Sequence, residues 1–305
     1  MRCSKEVYRM IETKMDRARR HVFSVVIGAI CVFIMYTFLL ILGSSFSSQK
    51  AINQYGFSVI PKEFSLDGYS RVFLNVGSVL QSYWITFLTT ILGTIIGLLV
   101  TALMGYVLSR DDYPYRRIVS FYCYFTMLFS GGLVPTYMLV ANWLHLKNTI
   151  WALILPSCVS VWNMMLIRSY FKSLPYSLIE AAKIDGMSEF GIFFKIVVPL
   201  SKPAFATIGL FYALSYWNQW YSSLLYTDDK KFVTLQYLLM KIMKSIEFLN
   251  SEALASSGLT LMGLDAPTHN VRMAMCIVVA GPILLVFPFF QKYFVKGLNV
   301  GAVKG

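Results

Sequence analysis

Few residues of this sequence could carry covalent or metal chemistry, and none stands at a spacing that would do so. The three histidines, His21, His145 and His269, and the five cysteines, Cys3, Cys31, Cys123, Cys158 and Cys276, form no Cys-x-x-Cys or Cys/His pattern. Four of the cysteines lie in apolar runs, where the thiol serves as a small packing group. The phosphate-cradling pattern G-x-x-x-x-G-K-[ST] is absent, and no acidic cluster could hold Mg²⁺. No catalytic residue, metal or cofactor is therefore expected. The one stretch that combines charge, turn formers and helix formers runs from Ser177 to Pro199, between two long apolar segments.

That stretch reads as helix, tight turn, helix. Ser177, followed three residues later by Glu180, has the form of a capping box. Pro175 keeps a helix from running in from upstream, and Gly186 supplies a residue that takes positive φ and closes the first helix. Ser188 caps a second helix, bounded downstream by Pro199 and Pro203. Ala181 and Ala182 allow close backbone approach, and Glu180 either holds the loop's own geometry or pairs with a basic group. Phe190, Phe193 and Phe194 are expected to root the second helix against the surrounding bundle.

The elements that position this stretch belong to a membrane. Hydrophobic residues make up 57% of the 305 and charged residues 14%, where a soluble domain carries about 25% charge. Six windows contain no Asp, Glu, Lys or Arg: 21–49, 72–109, 118–146, 148–167, 204–227 and 273–291. Each can supply the ~20 residues that cross a bilayer core as a helix. The fold class expected is an all-α membrane protein of six transmembrane helices. With both termini inside, the inner segments hold 18 of the 27 Lys and Arg: seven in 1–20, three in 110–117, five in 168–202 and three in 292–304. This is the positive-inside bias. It accounts for nearly all of the +12 net charge, excludes nucleic acid as a partner, and places Ser177–Pro199 in the cytoplasm.

Taken in order, residues 1–21 form a cytoplasmic segment and 22–43 a first span too long for a typical signal-peptide core. Residues 72–295 form the main transmembrane domain, with the cytoplasmic loop at 172–203 and a cytoplasmic tail at 296–305. The stretch Leu74–Ser82 is expected at the interface ahead of the second span. Ser130, Gly131, Gly132 and Pro135 interrupt the third, and that break should be buried in protein or line a cavity. The arginines of the short loop Arg110–Arg117 are expected at head-group level. Arg168 is placed to snorkel or to pair with the charged loop. Residues 204–227 form the fifth span, ending in interfacial aromatics. Phe232–Leu249 has the period of an amphipathic helix.

Glu180-Ala181-Ala182, three residues, Gly186, nine residues, then Ile196-x-Val198-Pro199 resembles the EAA loop of ABC importer permeases, with Val198 where leucine is usual. Leu174, Asp185, Leu200, Pro203, Trp217 and Asn218 extend the resemblance to the carbohydrate class, the maltose-type permeases. Val271 to Ala274, Gly281-Pro282, Pro288 to Gly297 and Gly301 to Gly305 resemble the polysaccharide and oligosaccharide permease group. The resemblance implies a MetI-like core and a multi-pass subunit of the bacterial plasma membrane. It implies two cytoplasmic ATP-binding subunits docked through Glu180, Ala181, Ala182, Asp185, Gly186, Ile196 and Pro199. It further implies a second, homologous permease chain, an extracellular substrate-binding lipoprotein and a carbohydrate substrate, with membrane lipid around the spans. Phe129 to Leu133 superficially matches the signature peptide of ABC ATPases, but it sits within an apolar window as a helix break.

Asn163, Trp217, Asn218 and Trp220 are candidate residues of a translocation path, since aromatic faces and amides suit sugars. An ion-coupled carrier is the alternative. Such carriers bury an ionisable residue in a span, and the six windows hold no Asp, Glu, Lys or Arg, with His21 and His145 only at window ends, although backbone carbonyls and hydroxyls can hold sodium. A transporter-like complex used for sensing also stays open.

Overall fold

The computed structural model describes residues 14–74, 76–249 and 269–302. Most of the expected N-terminal cytoplasmic segment and the end of the expected tail lie outside the described residues. Among the described residues the secondary structure is helical, apart from one isolated bridge between Ser47 and Phe64. The helices are α1 (Lys14–Ser45), α2 (Gln49–Tyr55), α3 (Asp67–Leu74), α4 (Val76–Ser109), α5 (Arg116–Leu128), α6 (Leu133–Tyr137), α7 (Ile150–Ile154), α8 (Val161–Lys172), α9 (Tyr176–Ile184), α10 (Glu189–Ile192), α11 (Val198–Leu200), α12 (Lys202–Trp217), α13 (Tyr221–Tyr226), α14 (Leu235–Leu249) and α15 (His269–Ala302). A wide π turn, Phe193–Val197, joins α10 to α11.

Three helices are long and apolar enough to cross a bilayer: Ala18–Ser45, Gly77–Ser109 and His269–Val286. Three bent pairs satisfy the same requirement when each is taken as one span. Arg116–Leu128 meets Leu133–Trp143 at 113°, Ile150–Ser157 meets Val161–Lys172 at 53°, and Glu189–Leu200 meets Lys202–Trp217 at 85°. The charge-free windows thus mark where apolar helix lies, but not where it bends.

The differences from expectation have local causes. Val76–Ser82 forms the first turns of α4 itself, because no proline or glycine pair separates it from the apolar run that follows. The break between α5 and α6 is exposed on this chain. Phe129 is 63% exposed and Val134 66%, so nothing within the described residues covers the irregular backbone there. The fifth apolar run ends as a helix at Trp217, where Asn218 donates its side-chain amide to the Leu214 carbonyl, 2.9 Å away; α13 begins anew at Tyr221. The amphipathic helix starts at Leu235 rather than Phe232, after a 3₁₀ turn at Lys230–Phe232 that the Asp229 carboxylate opens.

The chain divides into two compact units, Met1–Val72 with Leu261–Ile277, and Phe73–Thr260 with Val278–Gly305. In the first unit, the apolar window of α1 is uncovered by the described residues of that unit, while Ser44, Ser45 and Ser47 at its end are buried. Tyr69 of α3 hydrogen-bonds Ser45, 2.8 Å away.

The second unit is built on α4. It packs chiefly against α12 and α8, and the contact with α12 is close because of two glycines. A Cβ at Gly93 would stand 2.5 Å from the ring of Tyr216, and one at Gly97 2.9 Å from the ring of Tyr212. The two rings stack 6.3 Å apart. Their hydroxyls are satisfied inside the bundle, as buried hydroxyls must be. Tyr212 shares a hydrogen bond of 2.6 Å with Thr101 of α4, and accepts one of 3.0 Å from the Ser160 amide at the α7–α8 break. Tyr216 donates to the Ile154 carbonyl, 2.9 Å away. Tyr212 therefore supplies an acceptor to an amide that the interrupted helix leaves open.

Candidate functional site

The charged loop is seated on the same core as the bundle. One buried cluster joins Ala102 and Tyr106 of α4, Ile167 and Phe171 of α8, Ile179 and Ala182 of α9, Ile192, Phe193 and Val197, and Ile208, Tyr212 and Tyr216 of α12. Ile179 and Ala182 stand three residues apart and therefore on one face of α9; Ala182, with only a methyl group to bury, is 4% exposed. Phe193 is 2% exposed, with Tyr106 at 5.2 Å and Phe171 at 6.5 Å between ring centroids. Phe190 and Phe194, expected to root the second helix as well, are instead 71% and 52% exposed. The wide π turn directs Phe193 and Val197 to the core and leaves Phe194 outside.

The turn at Gly186 has φ +74°. It closes α9 as a Schellman motif: the Met187 amide donates to the Ala182 carbonyl, 3.0 Å, and the Gly186 amide to the Lys183 carbonyl, 3.0 Å. Ser188 then caps α10, accepting from the Gly191 amide at 3.2 Å. The capping box of Ser177 and Glu180 does not form. Pro175, with φ −59° and ψ 120°, is itself the N-cap, so Ser177 already lies within the first turn and cannot cap it. Glu180 is exposed and, among the described residues, makes no hydrogen bond or ion pair. The family-motif residues therefore divide. Glu180, Ala181, Asp185, Gly186 and Pro199 face outward, whereas Ala182 and half-buried Ile196 face the core.

Beside this loop lies a network of ionic groups that spacing did not disclose. Arg110, just past the end of α4, has a side chain only 6% exposed, covered by its protein neighbours. Its Nη2 lies 3.2 Å from Asp112 Oδ2 and 3.9 Å from Glu189 Oε1. Lys183 Nζ, from the last turn of α9, lies 2.6 Å from the same Asp112 oxygen and 2.9 Å from Glu189 Oε1. Tyr106 donates to Glu189 Oε2 at 2.7 Å. The guanidinium sits 5.8 Å from the centre of the Tyr106 ring and 5.3 Å from that of Tyr176, within cation–π range. Two cations and two carboxylates alternate, so each charge meets opposite neighbours.

The hydrogen bond from Lys183 holds the Asp112 carboxyl below its usual range, and Asp112 and Glu189 together raise the Lys183 ammonium. Partial burial alone would raise Glu189, but Lys183, Tyr106 and Arg110 outweigh it and lower it. The network is thus fully charged at neutral pH. The missed signal was the pair of acids directly after Arg110, in Arg110-Asp111-Asp112, which a count of positive charge alone discards.

The other expected residues are placed as follows. Arg168 does not reach the loop; its Nε donates to the Leu108 carbonyl at 3.0 Å, tying α8 to the end of α4. Asn163 is 6% exposed on α8. Trp217 is 7% exposed, and its indole N–H is taken by the Val279 carbonyl, 3.2 Å away. Asn218 accepts from Gln236 at 3.0 Å, and Trp220, 36% exposed, meets Tyr221 edge-on. Among the described residues, no hydrogen bond or ring contact links Asn163 to the other three. Trp217, Asn218 and Trp220 share the end of α12.

A helical membrane bundle whose apolar windows hold no Asp, Glu, Lys or Arg, carrying an exposed charged helix–turn–helix on its main core, has the build of a membrane transport subunit. The chain belongs to the family described as binding-protein-dependent transport system inner membrane component, which matches residues 60–300. It is 38% identical over 283 residues to the polygalacturonan/rhamnogalacturonan transport system permease protein YtcP of Bacillus subtilis, covering 93% of this chain and 96% of that one. It is 37% identical over 300 residues to protein LplC of the same organism, covering 98% and 99%. Among solved structures, a bacterial ABC transporter involved in import of the acidic polysaccharide alginate superposes with a TM-score of 0.79 at 29% identity, covering 93% of this chain and 99% of that one. The chain is accordingly an ABC importer permease with a MetI-like fold, a membrane component and not an enzyme; membership implies a substrate-binding protein, ATPase subunits and a second permease.

Proposed function

We propose that the chain forms half of the translocation pathway of a carbohydrate importer in the bacterial plasma membrane. The three continuous helices, the bent pairs Arg116–Trp143 and Ile150–Lys172, and Lys202–Trp217 serve as six crossings with both termini inside. Residues 22–43 are the first crossing, 72–295 the permease domain and 172–203 the coupling loop. Two cytoplasmic ATPases dock on the outward residues Glu180, Ala181, Asp185, Gly186 and Pro199, with Ala182 and Ile196 setting the loop on the core. A homologous permease chain supplies the other half of the path, and an extracellular lipoprotein delivers the substrate. Closure of the ATPases moves the loop and switches the bundle between inward-facing and outward-facing states. Asn163, Trp217, Asn218 and Trp220 contact the sugar along the path. The substrate is an oligosaccharide released from a polysaccharide, a reading supported by the relatives and by the alginate importer.

The observation that carries this reading is the exposed, Schellman-closed loop whose inner face belongs to the core of the bundle. The test is uptake of a labelled galacturonate oligosaccharide into vesicles containing the chain, its companion permease and the ATPases, with the binding protein outside. Accumulation that requires ATP inside and the binding protein outside is expected. Accumulation driven by a sodium or proton gradient without the ATPases would overturn the proposal in favour of a secondary carrier.

A further inference from the structure

From the ionic network we infer a rigid joint. Tyr106, Arg110, Asp112, Lys183 and Glu189 lock the coupling helix α9 to α4, so that the two move as one body, with Lys183 as the positioning residue that closes the joint. The inference rests on the permease reading above and adds to it which bundle helix the coupling loop drives, and through which groups.

Three observations converge on it. First, the network spans separate elements: Tyr106 and Arg110 belong to α4 and its end, Asp112 to the following loop, Lys183 to α9, and Glu189 to the first turn of α10. No bond internal to α9 could replace it. Second, Arg110 is 6% exposed, and its Nε and Nη1 have no hydrogen-bond partner among the described residues. Taking the carboxylates away from a cation so far removed from water carries a heavy desolvation penalty. Any state in which Arg110 stays buried therefore keeps Asp112 and Glu189 in place, and Lys183 with them. Exposed ion pairs alone would not bear this weight, since each contributes little; the buried guanidinium makes opening costly. Third, α4 is the helix through which such a movement reaches the rest of the unit. Nine residues before Arg110, Thr101 bonds Tyr212 of α12, whose hydroxyl also holds the Ser160 amide at the α7–α8 break. Movement of α4 thus bears directly on the two elements that interrupt or flank the bent pair.

A joint of this kind differs from ordinary packing in what happens during the cycle. Packing alone would leave α9 free to rock on its Ile179–Ala182 face, as interfaces that shear do. The joint predicts that the α9–α4 distance stays fixed while both shift relative to the remainder. Lys183 has no role in seating α9 on the core, so removing its charge opens the joint without removing the seat.

The experiment places spin labels at Ser177 on α9 and Val107 on α4, both exposed, in the full transporter with its ATPases bound, and measures their separation without nucleotide and with ATP and vanadate. In the parent chain the distance distribution should stay the same in both conditions. With Lys183→Met it should shift or broaden with nucleotide, and the ATP hydrolysed per sugar moved should rise above the parent value. Lys183→Arg, which keeps the cation, should restore both. A parent distance that changes with nucleotide overturns the joint. So does a Lys183→Met distance that stays fixed, or a loss of transport that merely follows the amount of assembled complex. Failure of the ATPases to bind the parent chain would strike the permease reading beneath it, and the joint with it.

Discussion

At the scale of single residues, the coupling loop depends on one backbone angle and one methyl group. Gly186 holds φ +74° with open space around the position a Cβ would take, so the constraint is conformational and not steric crowding. An L-residue there costs about 1–2 kcal/mol, and a β-branched one sits worst. Gly186→Val should abolish uptake while leaving membrane insertion intact, read by transport assays beside membrane fractionation; uptake at the parent rate would remove the turn from the coupling mechanism. Both Gly186 and the Ser188 cap were legible in the sequence, because each acts on amides within five residues of itself. The capping box was not. It turned on whether the helix opens at Ser177 or at Pro175, two residues apart, and the proline decided that. The ionic network escaped for another reason: Asp112 and Lys183 are 71 positions apart, and only the packing of α9 beside the end of α4 brings them together.

At the scale of elements, the loop is an extension of the bundle core and not an appendage to it. Phe193 carries much of that attachment, touching Tyr106 and Phe171 across three elements. Phe193→Ala should cost about 3–5 kcal/mol by the usual measure for a buried aromatic, and should loosen α9 and α10 before α4 or α12. Hydrogen exchange in the assembled transporter would register this as faster exchange over residues 176–200, with α4 unchanged; uniform loosening of both would contradict the order given. The sequence marked Phe190, Phe193 and Phe194 alike, since composition cannot see the π turn that separates their directions. Apolar length identified the helices of the bundle, while their bends, at 128–133, 157–161 and 200–202, fall inside or at the edge of apolar runs and leave little trace in hydropathy.

At the scale of the whole molecule, the chain by itself presents surfaces that a bilayer alone does not complete. The apolar window of α1 is uncovered, which lipid can satisfy, but the break between α5 and α6 is different. Phe129 and Leu133 stand exposed around irregular backbone, and hydrocarbon offers no hydrogen bonds to such a segment. The break, expected to be buried in protein or to line a cavity, is not buried by the described residues of this chain, so any cover has to come from elsewhere. The consequence concerns how long the protein lasts in a cell. If the companion permease supplies that cover, a copy without it keeps the break uncovered and stays a target for membrane proteases, whereas a paired copy does not. Pulse–chase labelling should then give a shorter half-life in a strain lacking the companion chain, and restoring that chain should lengthen it; equal half-lives would mean the break is tolerated alone. In that event abundance would follow synthesis. If the half-lives differ, surplus copies are cleared, and the scarcer of the two permeases sets how many transporters the membrane holds.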